Sequence, residues 1–258
     1  MHYERHASQQ TRGSGTIVTF RPLALLRHHR IDSRILMGFL VSAFVVFLFL
    51  KIASEVMEGD TLAFDRFILQ ALRNPSDPAI PVGPTWLQDA MIDWTALGGM
   101  TVLTMLTVAT FGYLLARGKK GMAILLAASI SGGALISGLL KIGFARQRPD
   151  IVTHLVEVHT TSFPSGHAMN SAIIYLTLGV LLARSEKDRF VRIYILSVAI
   201  LLTLSIGVSR VYLGVHWPSD VIAGWCIGAC WAALCSIMAK TLQRRHQIEQ
   251  PTIATESA

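Results

Sequence analysis

Residues 209–220 read Ser209-Arg-Val-Tyr-Leu-Gly-Val-His216-Trp-Pro-Ser-Asp220, and they join two long apolar runs. Arg210 closes the first run, whereas His216 and Asp220 open the second. Pro218 favours a helix start, because the first turn of a helix leaves its N–H groups unpaired in any case. The stretch therefore predicts a turn between two membrane helices, the second beginning near Pro218.

His216 and Asp220 are four residues apart, one helical turn, so the carboxylate can reach the imidazole. A carboxylate on one ring nitrogen fixes the tautomer and leaves the other nitrogen free to attack or to accept a proton. Arg210 adds a planar set of donors that suits phosphate oxygens. A structural ion pair between Arg210 and Asp220 at the membrane edge is the alternative, and the rest of the chain decides between the two.

The composition is that of a membrane protein. Of 258 residues, 52% are hydrophobic and only 15% are charged, whereas soluble domains carry about 25% charged residues. The net charge of +7 would also fit a nucleic-acid-binding protein. However, the basic residues mark the ends of apolar runs, which membrane topology explains better, so we expect no nucleic-acid partner.

Six apolar runs are each long enough to cross a bilayer, which takes about 20 residues. We therefore predict an all-α fold, a bundle of six transmembrane helices. The sixth run carries Gly224 and Gly228, a spacing of small residues that favours close helix packing. The predicted spans are residues 35–53, 94–116, 121–140, 167–183, 193–209 and 219–239.

The six-span domain is predicted to cover residues 35–240. A basic cytoplasmic tail, residues 1–34, precedes it, and a second cytoplasmic tail, residues 241–258, follows it. The longest connection within the domain is an external loop, residues 54–93.

Part of this external loop has the pattern of an amphipathic helix. Residues 60–73 combine an apolar side with a polar side, which predicts a helix lying in the membrane interface, with Asp60 as its N-cap. Prolines at positions 75, 78, 81 and 84 then predict an extended return path. The expected polar side of the helix consists of Asp65, Arg66, Gln70 and Arg73.

Basic residues are distributed unevenly over the predicted topology. They crowd the N-terminal tail, the turns after the second and fourth spans, and the C-terminus, while the first external loop is acidic. The positive-inside rule therefore places both termini in the cytoplasm. The segment after the third span and the starts of the fourth and sixth spans then share the outer face.

The chemically distinctive residues fall at that outer face. Lys141 and Arg148 follow the third span, and Pro164-Ser-Gly-His167 opens the fourth. The fourth and fifth spans then cross the membrane twice, so the chain returns to the same face at Arg210. One span more or fewer would place Arg210 on the face opposite to Lys141 and His167. We therefore expect one active site at the outer membrane–water interface, formed by Lys141, Arg148, Ser165, Gly166, His167, Arg210, His216 and Asp220.

The expected site suits a tetrahedral anion. The N-termini of the fourth and sixth helices point at it with unpaired N–H groups and partial positive charge. Lys141, Arg148 and Arg210 add three cations, and each charge within a bilayer costs about 2.5–3.5 kcal/mol or more. Because few carboxylates lie near them in the sequence, an anionic ligand would compensate their charge.

Three segments together resemble the signature of the type 2 phosphatidic acid phosphatase superfamily, which includes lipid phosphate phosphatases, glucose-6-phosphatases and vanadium-dependent haloperoxidases. They are Lys141-x6-Arg148-Pro149, Pro164-Ser-Gly-His167 and Ser209-Arg210-x5-His216-x3-Asp220. The match holds at every signature position between residues 141 and 220. The six-span layout resembles the membrane branch of the superfamily along most of the chain.

The resemblance implies a role for each matching residue. His216 would be the nucleophile and form a phosphohistidine, Asp220 would orient its ring, and His167 would protonate the leaving group and later activate water. The implied reaction uses no metal and no other cofactor, because cationic side chains take the place of magnesium. The phosphoryl oxygens would be held by Lys141, Arg148, Ser165, Gly166 and Arg210.

The resemblance implies a hydrolase of a bacterial inner membrane, with its active site facing the periplasm. Its substrate would be a lipid phosphomonoester or diphosphate, such as phosphatidic acid, phosphatidylglycerol phosphate, undecaprenyl diphosphate or lipid A phosphate. Two alternatives are a vanadium-dependent haloperoxidase, a branch that is typically soluble, and a non-enzymatic lipid or anion carrier, which would not need the histidine–aspartate pair. Membrane lipids are the other expected partners, and the oligomeric state stays open.

Overall fold

The computed structural model describes residues 33–59, 62–245 and 248, and within them the chain forms eight α-helices and one short hairpin. Most of the two predicted tails, and the predicted N-cap Asp60, lie outside the described residues. The all-α prediction is confirmed. The elements are α1 (Ser33–Glu58), α2 (Leu62–Ala71), β1 (Arg73–Asn74), β2 (Asp77–Pro81), α3 (Thr85–Ala96), α4 (Met100–Ala116), α5 (Lys120–Phe144), α6 (Gly166–Ser185), α7 (Arg189–Tyr212) and α8 (Pro218–Arg244).

The membrane-spanning helices agree with the six predicted spans. Among the described residues, five segments are long and apolar enough to cross a bilayer: Leu40–Glu58 of α1, and the helices α5, α6, α7 and α8. α3 and α4 pass the same test of length and composition only as a pair, which is bent by 44° at the break between the two helices; we call this pair the broken span. The described residues therefore contain five continuous candidate spans and the broken span.

The second span begins earlier than predicted. We expected it at residue 94, after a loop, but α3 already starts at Thr85, with Pro84 as its N-cap residue. The apolar residues Leu87, Met91 and Ile92 of α3 pack against a buried cluster at the end of α7. Tertiary packing thus makes a helix of a segment that the sequence pattern places in the external loop.

The proline-rich segment is a hairpin rather than a single extended path. β1 and β2 pair in an antiparallel arrangement, and Pro78 and Pro81 lie in β2. Two short side chains stabilise the turn, because Oδ1 of Asn74 accepts a hydrogen bond from the Ser76 N–H and Oδ1 of Asp77 accepts one from the Ala79 N–H, both at 2.9 Å.

The predicted amphipathic helix exists as α2, but the prediction that Asp65 and Arg73 lie on its polar side is wrong. Asp65, which we placed on the polar side, is fully buried, while the side chains of Phe64 and Phe67 are exposed. Arg73 lies in β1, buried, and donates to the Tyr212 carbonyl at the end of α7. The helix therefore turns an acidic residue towards the bundle, because that residue has charged and polar partners there.

Three helix ends also differ from the predicted boundaries. Lys141 lies in the last turn of α5 rather than in the loop that follows it. α7 begins at Arg189, within the predicted charged turn, because the carboxylate of Asp188 caps it by accepting from the Phe190 N–H at 2.7 Å. α8 continues to Arg244, four residues past the predicted end of the domain.

The predicted small-residue packing face holds α8 against α6. A Cβ atom added at Gly228 would lie 2.6 Å from the Met169 carbonyl oxygen and 2.7 Å from Cβ of Ala172. At Gly224 it would lie 2.8 Å from the carbonyl oxygen of Ser165. The two helices therefore approach each other at distances that only glycine permits, and this fixes the starts of α6 and α8 side by side.

We predict that Gly228→Ala lowers the thermal midpoint of the detergent-solubilised protein, because overpacking a close contact costs about 1–3 kcal/mol. Gly112→Ala on α4 is the matched control, since a Cβ atom there would meet nothing within 4 Å. Equal midpoints for the two variants would contradict the proposed close contact between α6 and α8.

Candidate active site

The candidate residues come together at one end of the bundle. They lie in the last turn of α5, the loop between α5 and α6, the start of α6, the end of α7 and the turn into α8. Backbone hydrogen bonds tie these segments to one another: the Ser165 N–H donates to the Asp220 carbonyl at 3.0 Å, and the Ser162 N–H donates to the Arg146 carbonyl at 2.8 Å.

His216 and Asp220 form a buried pair at the start of α8. Oδ2 of Asp220 lies 3.4 Å from Nδ1 of His216 and also accepts from the Trp217 N–H at 3.0 Å. The Ser162 hydroxyl donates a short hydrogen bond to the same oxygen and lies 3.4 Å from Nδ1. The imidazole is therefore oriented on one side by a carboxylate and a hydroxyl that are themselves fixed.

Arg148 determines which nitrogen of His216 carries the proton. Its Nη1 lies 3.2 Å from Nε2 of the imidazole. A guanidinium has donors only, so Nε2 must accept in this contact, and the ring proton of the neutral imidazole lies on Nδ1, facing Asp220. This tautomer leaves the lone pair of Nε2 directed at the cationic side of the site.

Burial keeps His216 neutral. It lowers the pKa of His216 from 6.5 to about 4. The hydrogen bond to Asp220 and the charge of that residue raise the pKa, whereas the charges of Arg148 and Arg210 lower it. The imidazole is therefore unprotonated at neutral pH, which is the form with a lone pair available on Nε2.

The three predicted cations contact only neutral acceptors. Nζ of Lys141 donates to the Thr161 carbonyl at 2.7 Å, and Nη1 of Arg210 donates to Oγ1 of Thr95 at 2.9 Å. Arg148 donates to two backbone carbonyls in addition to its contact with His216. Within the part of the chain that the structure describes, no carboxylate lies within 4 Å of these three cations. Their charge is therefore available for an anion.

The start of α6 supplies further polar groups. The Oγ atom of Ser165, the N-cap residue, is buried with no hydrogen-bond partner among the described residues, as is Nε of Arg210. A Cβ atom added at Gly166 would lie 3.6 Å from Cε of Lys141, so the lysine side chain passes close to this helix start. The Ser165 N–H is already paired with the Asp220 carbonyl, so the hydroxyl is the group that Ser165 has to offer.

His167 faces the break between α3 and α4. A Cβ atom at Gly98 would lie 3.3 Å from Cδ2 of His167 and 2.4 Å from Cγ2 of Ile206, so glycine is required at this position. His167 is also within electrostatic range of Arg148, Lys141, Arg210 and His216. The structure thus brings the eight predicted residues together at one end of the bundle, and the break between α3 and α4 lies beside His167.

A second layer of charged residues was missed by the sequence analysis. The Arg146 side chain donates to Oδ1 of Asp220 at 2.6 Å and to Oδ2 of Asp65 at 2.7 Å, and its guanidinium lies 5.4 Å from the centre of the Trp217 ring. Ser219 donates to Asp65 through both its N–H and its hydroxyl. Arg146 stands within the Lys141–Arg148 segment, but Asp65 is 81 residues away from it and gives no local signal.

The remaining histidines of the loop stay outside this arrangement. Nε2 of His154 lies 2.6 Å from the Pro149 carbonyl oxygen, and His159 is exposed. In residues 33–59, 62–245 and 248, no three His, Cys, Asp or Glu side chains are grouped so as to hold a metal ion.

The long apolar helices are those of an integral membrane protein, with a cluster of cationic and histidine side chains at one end of its bundle. Residues 121–244 match the model of the PAP2 superfamily. Phosphatidylglycerophosphatase B of Bacillus subtilis is 31% identical over 193 residues, which cover 73% of this chain and 88% of that protein. The chain belongs to the PAP2 superfamily, and it is a membrane phosphatase of that family.

Two further comparisons agree with this assignment. The crystal structure of a transmembrane PAP2 type phosphatidylglycerolphosphate phosphatase from Bacillus subtilis has a TM-score of 0.69 to this chain at 26% identity, and the match covers 79% of this chain and 98% of that one. Undecaprenyl-diphosphatase of Sulfolobus acidocaldarius is 37% identical over 100 residues, which are 38% of this chain and 44% of that protein. The predicted resemblance and the predicted enzyme class are confirmed.

We predict that the His216 imidazole stays neutral down to about pH 4, because burial and the nearby guanidinium groups disfavour its protonated form. Solution NMR of protein labelled with ¹³C-histidine measures this midpoint, and the signal is assigned by its loss in His216→Gln. A midpoint near 6.5 would show that the imidazole is not in the environment described above.

Proposed function

We propose that the protein removes a phosphate group from a membrane lipid through a phosphohistidine formed on Nε2 of His216. The observation that carries this proposal is the contact between Arg148 and Nε2 of His216. The imidazole has the Asp220 carboxylate at Nδ1 and a cationic side chain at Nε2. A nucleophilic lone pair lies where unpaired cations would hold a phosphoryl group. Simple binding of an anion would need the cations alone.

In the first step, Nε2 attacks phosphorus. The Nε2–P bond forms while the bond between phosphorus and the lipid oxygen breaks, and His167 donates a proton to that leaving oxygen. Lys141, Arg148 and Arg210 compensate the charge on the phosphoryl oxygens, with the hydroxyl of Ser165 as an additional donor and Gly166 allowing close approach. Asp220 stabilises the positive charge that develops on the imidazole.

In the second step, water replaces His216 on phosphorus. The neutral His167 accepts a proton from the attacking water, the Nε2–P bond breaks, and inorganic phosphate leaves the site. The lone pair returns to Nε2, so the next cycle can begin. The three cations take the place that divalent metals occupy in other phosphoryl-transfer enzymes, and we therefore propose that the reaction proceeds without a metal.

Phosphatidylglycerol phosphate is the first substrate to test. Its support is the relative that matches over the greater part of both chains, which is a phosphatidylglycerophosphatase. Undecaprenyl diphosphate and lipid A phosphate are also tested, because relatives that match over shorter segments are named as phosphatases of polyprenyl phosphates and of lipid A. Phosphatidic acid, a simple lipid phosphomonoester, completes the substrate class.

We further propose a bacterial inner membrane location, with the active site on the periplasmic side and both tails, residues 1–34 and 241–258, in the cytoplasm. α5 supports this orientation, because the helix rises about 32 Å between Lys120 in a basic turn and Lys141 in the site. The basic turn belongs on the cytoplasmic side, so the site belongs on the other. A cysteine that replaces the exposed His159 should react with an impermeant maleimide added to intact spheroplasts. If this cysteine reacts only after the spheroplasts are lysed, the site faces the cytoplasm and the proposed orientation is wrong.

We predict that His216→Ala abolishes phosphate release and that His159→Ala, an exposed histidine in the same domain, retains it. Purified wild-type protein in detergent with EDTA should hydrolyse phosphatidylglycerol phosphate, and acid-sensitive, alkali-stable ³²P should be trapped on the wild type but not on His216→Ala. Full activity of His216→Ala would overturn the mechanism. If the wild-type protein is inactive in EDTA and regains activity only when a divalent metal is added, the proposal of a metal-independent reaction is wrong.

A further inference from the structure

Asp65 joins the interfacial helix α2 to the start of α8. Its side chain is fully buried. Oδ1 accepts from the Ser219 N–H at 2.9 Å, and Oδ2 accepts from the Ser219 hydroxyl at 2.6 Å and from Arg146 at 2.7 Å. The carboxylate thus uses both oxygens, with a helix N-terminus and a cation as partners.

Arg146 is held between two carboxylates. It bonds to Asp65 through Nη2 and to Asp220 through Nη1, and its guanidinium carbon lies over the Trp217 ring, 5.4 Å from the ring centre. Ala145, immediately before it, has a φ of 44°, in the left-handed region that non-glycine residues rarely adopt. The chain leaves α5 in this conformation at the residue that precedes Arg146.

The two oxygens of Asp220 have different partners. Oδ1 accepts from Arg146, whereas Oδ2 faces His216, the Ser162 hydroxyl and the Trp217 N–H. If Asp220 were the counter-ion that alone balanced Arg146, the two charges would cancel. Little of the negative charge of Asp220 would then act on the His216 imidazole. With Asp65 present, two carboxylates share one guanidinium, and the group of three carries a net negative charge beside His216.

We propose that Asp65 is a positioning residue of the phosphatase: it neutralises Arg146 from α2 and so leaves the charge of Asp220 to the His216 imidazole. This inference rests on the proposed phosphohistidine mechanism. When Nε2 bonds to phosphorus the ring becomes positively charged, so a negative charge next to Nδ1 stabilises the transition state more than the ground state. Asp65 acts through Arg146 and Asp220 and does not touch the reacting atoms.

The test compares kcat with KM for Asp65→Asn on phosphatidylglycerol phosphate. We expect kcat to fall about 10- to 100-fold, because one negative charge is lost from the group next to the nucleophile. KM should stay unchanged or decrease, since the cations that would hold the phosphate are untouched. Asp89→Asn, which neutralises an exposed carboxylate on α3, is the matched control and should retain the wild-type kcat.

A double variant separates an electrostatic role from a structural one. Asp65→Asn combined with Arg146→Gln removes both charges and leaves Asp220 unpaired by any guanidinium, so kcat should recover several-fold relative to Asp65→Asn alone. A purely structural role predicts the opposite, because a second change in a buried network adds a further loss. The thermal midpoint of each variant, measured in the same detergent, identifies any variant that has lost its fold.

The outcomes distinguish this inference from the function on which it rests. If wild-type protein releases no phosphate from any of the four lipid phosphates, the proposed function fails. If the wild type is active but Asp65→Asn keeps its kcat, or loses activity through KM alone, the inference about Asp65 is wrong and the function stands. A double variant no more active than Asp65→Asn would also overturn it.

Discussion

The separation of charges around His216 is the constraint on which the rest of the site depends. On the Nδ1 side, Asp220 and Asp65 surround Arg146, whereas on the Nε2 side Arg148 and the other cations bond to neutral oxygens. The imidazole lies at the boundary, buried and oriented by both sides. Such an arrangement is unfavourable without an anion, because buried or partly buried cations without carboxylates are costly to desolvate.

The membrane fold maintains this separation by fixing helix ends rather than loops. Glycines on α8 allow α6 and α8 to start side by side, which places Ser165 next to Asp220. The broken span contributes Thr95 as the partner of Arg210, and the Tyr175 hydroxyl donates to the Leu97 carbonyl at the break. Hydrogen bonds thus hold the break between α3 and α4 against α6 and α7, the two helices that carry His167 and Arg210. The interruption of this span therefore places backbone and side-chain groups next to the site.

Local patterns in the sequence were sufficient for the six spans and for the grouping of the eight candidate residues. The spacing of His216 and Asp220 within one helical turn, and Pro218 at the helix start, carried most of that information. Asp65 could not be found in this way, because its partners are distant in the sequence and its own helix has an ordinary amphipathic pattern. The helix α3 was missed for a related reason: its packing against the end of α7, rather than its composition, makes it a helix.

A structure of the protein with orthovanadate, which adopts the trigonal bipyramidal geometry of a phosphoryl transition state, tests the central claim most directly. The account predicts vanadium bonded to Nε2 of His216, with its oxygens in contact with Lys141, Arg148 and Arg210, and Nδ1 still facing Asp220. Vanadate bound away from His216, or a site in which Arg148 still covers Nε2, would contradict it.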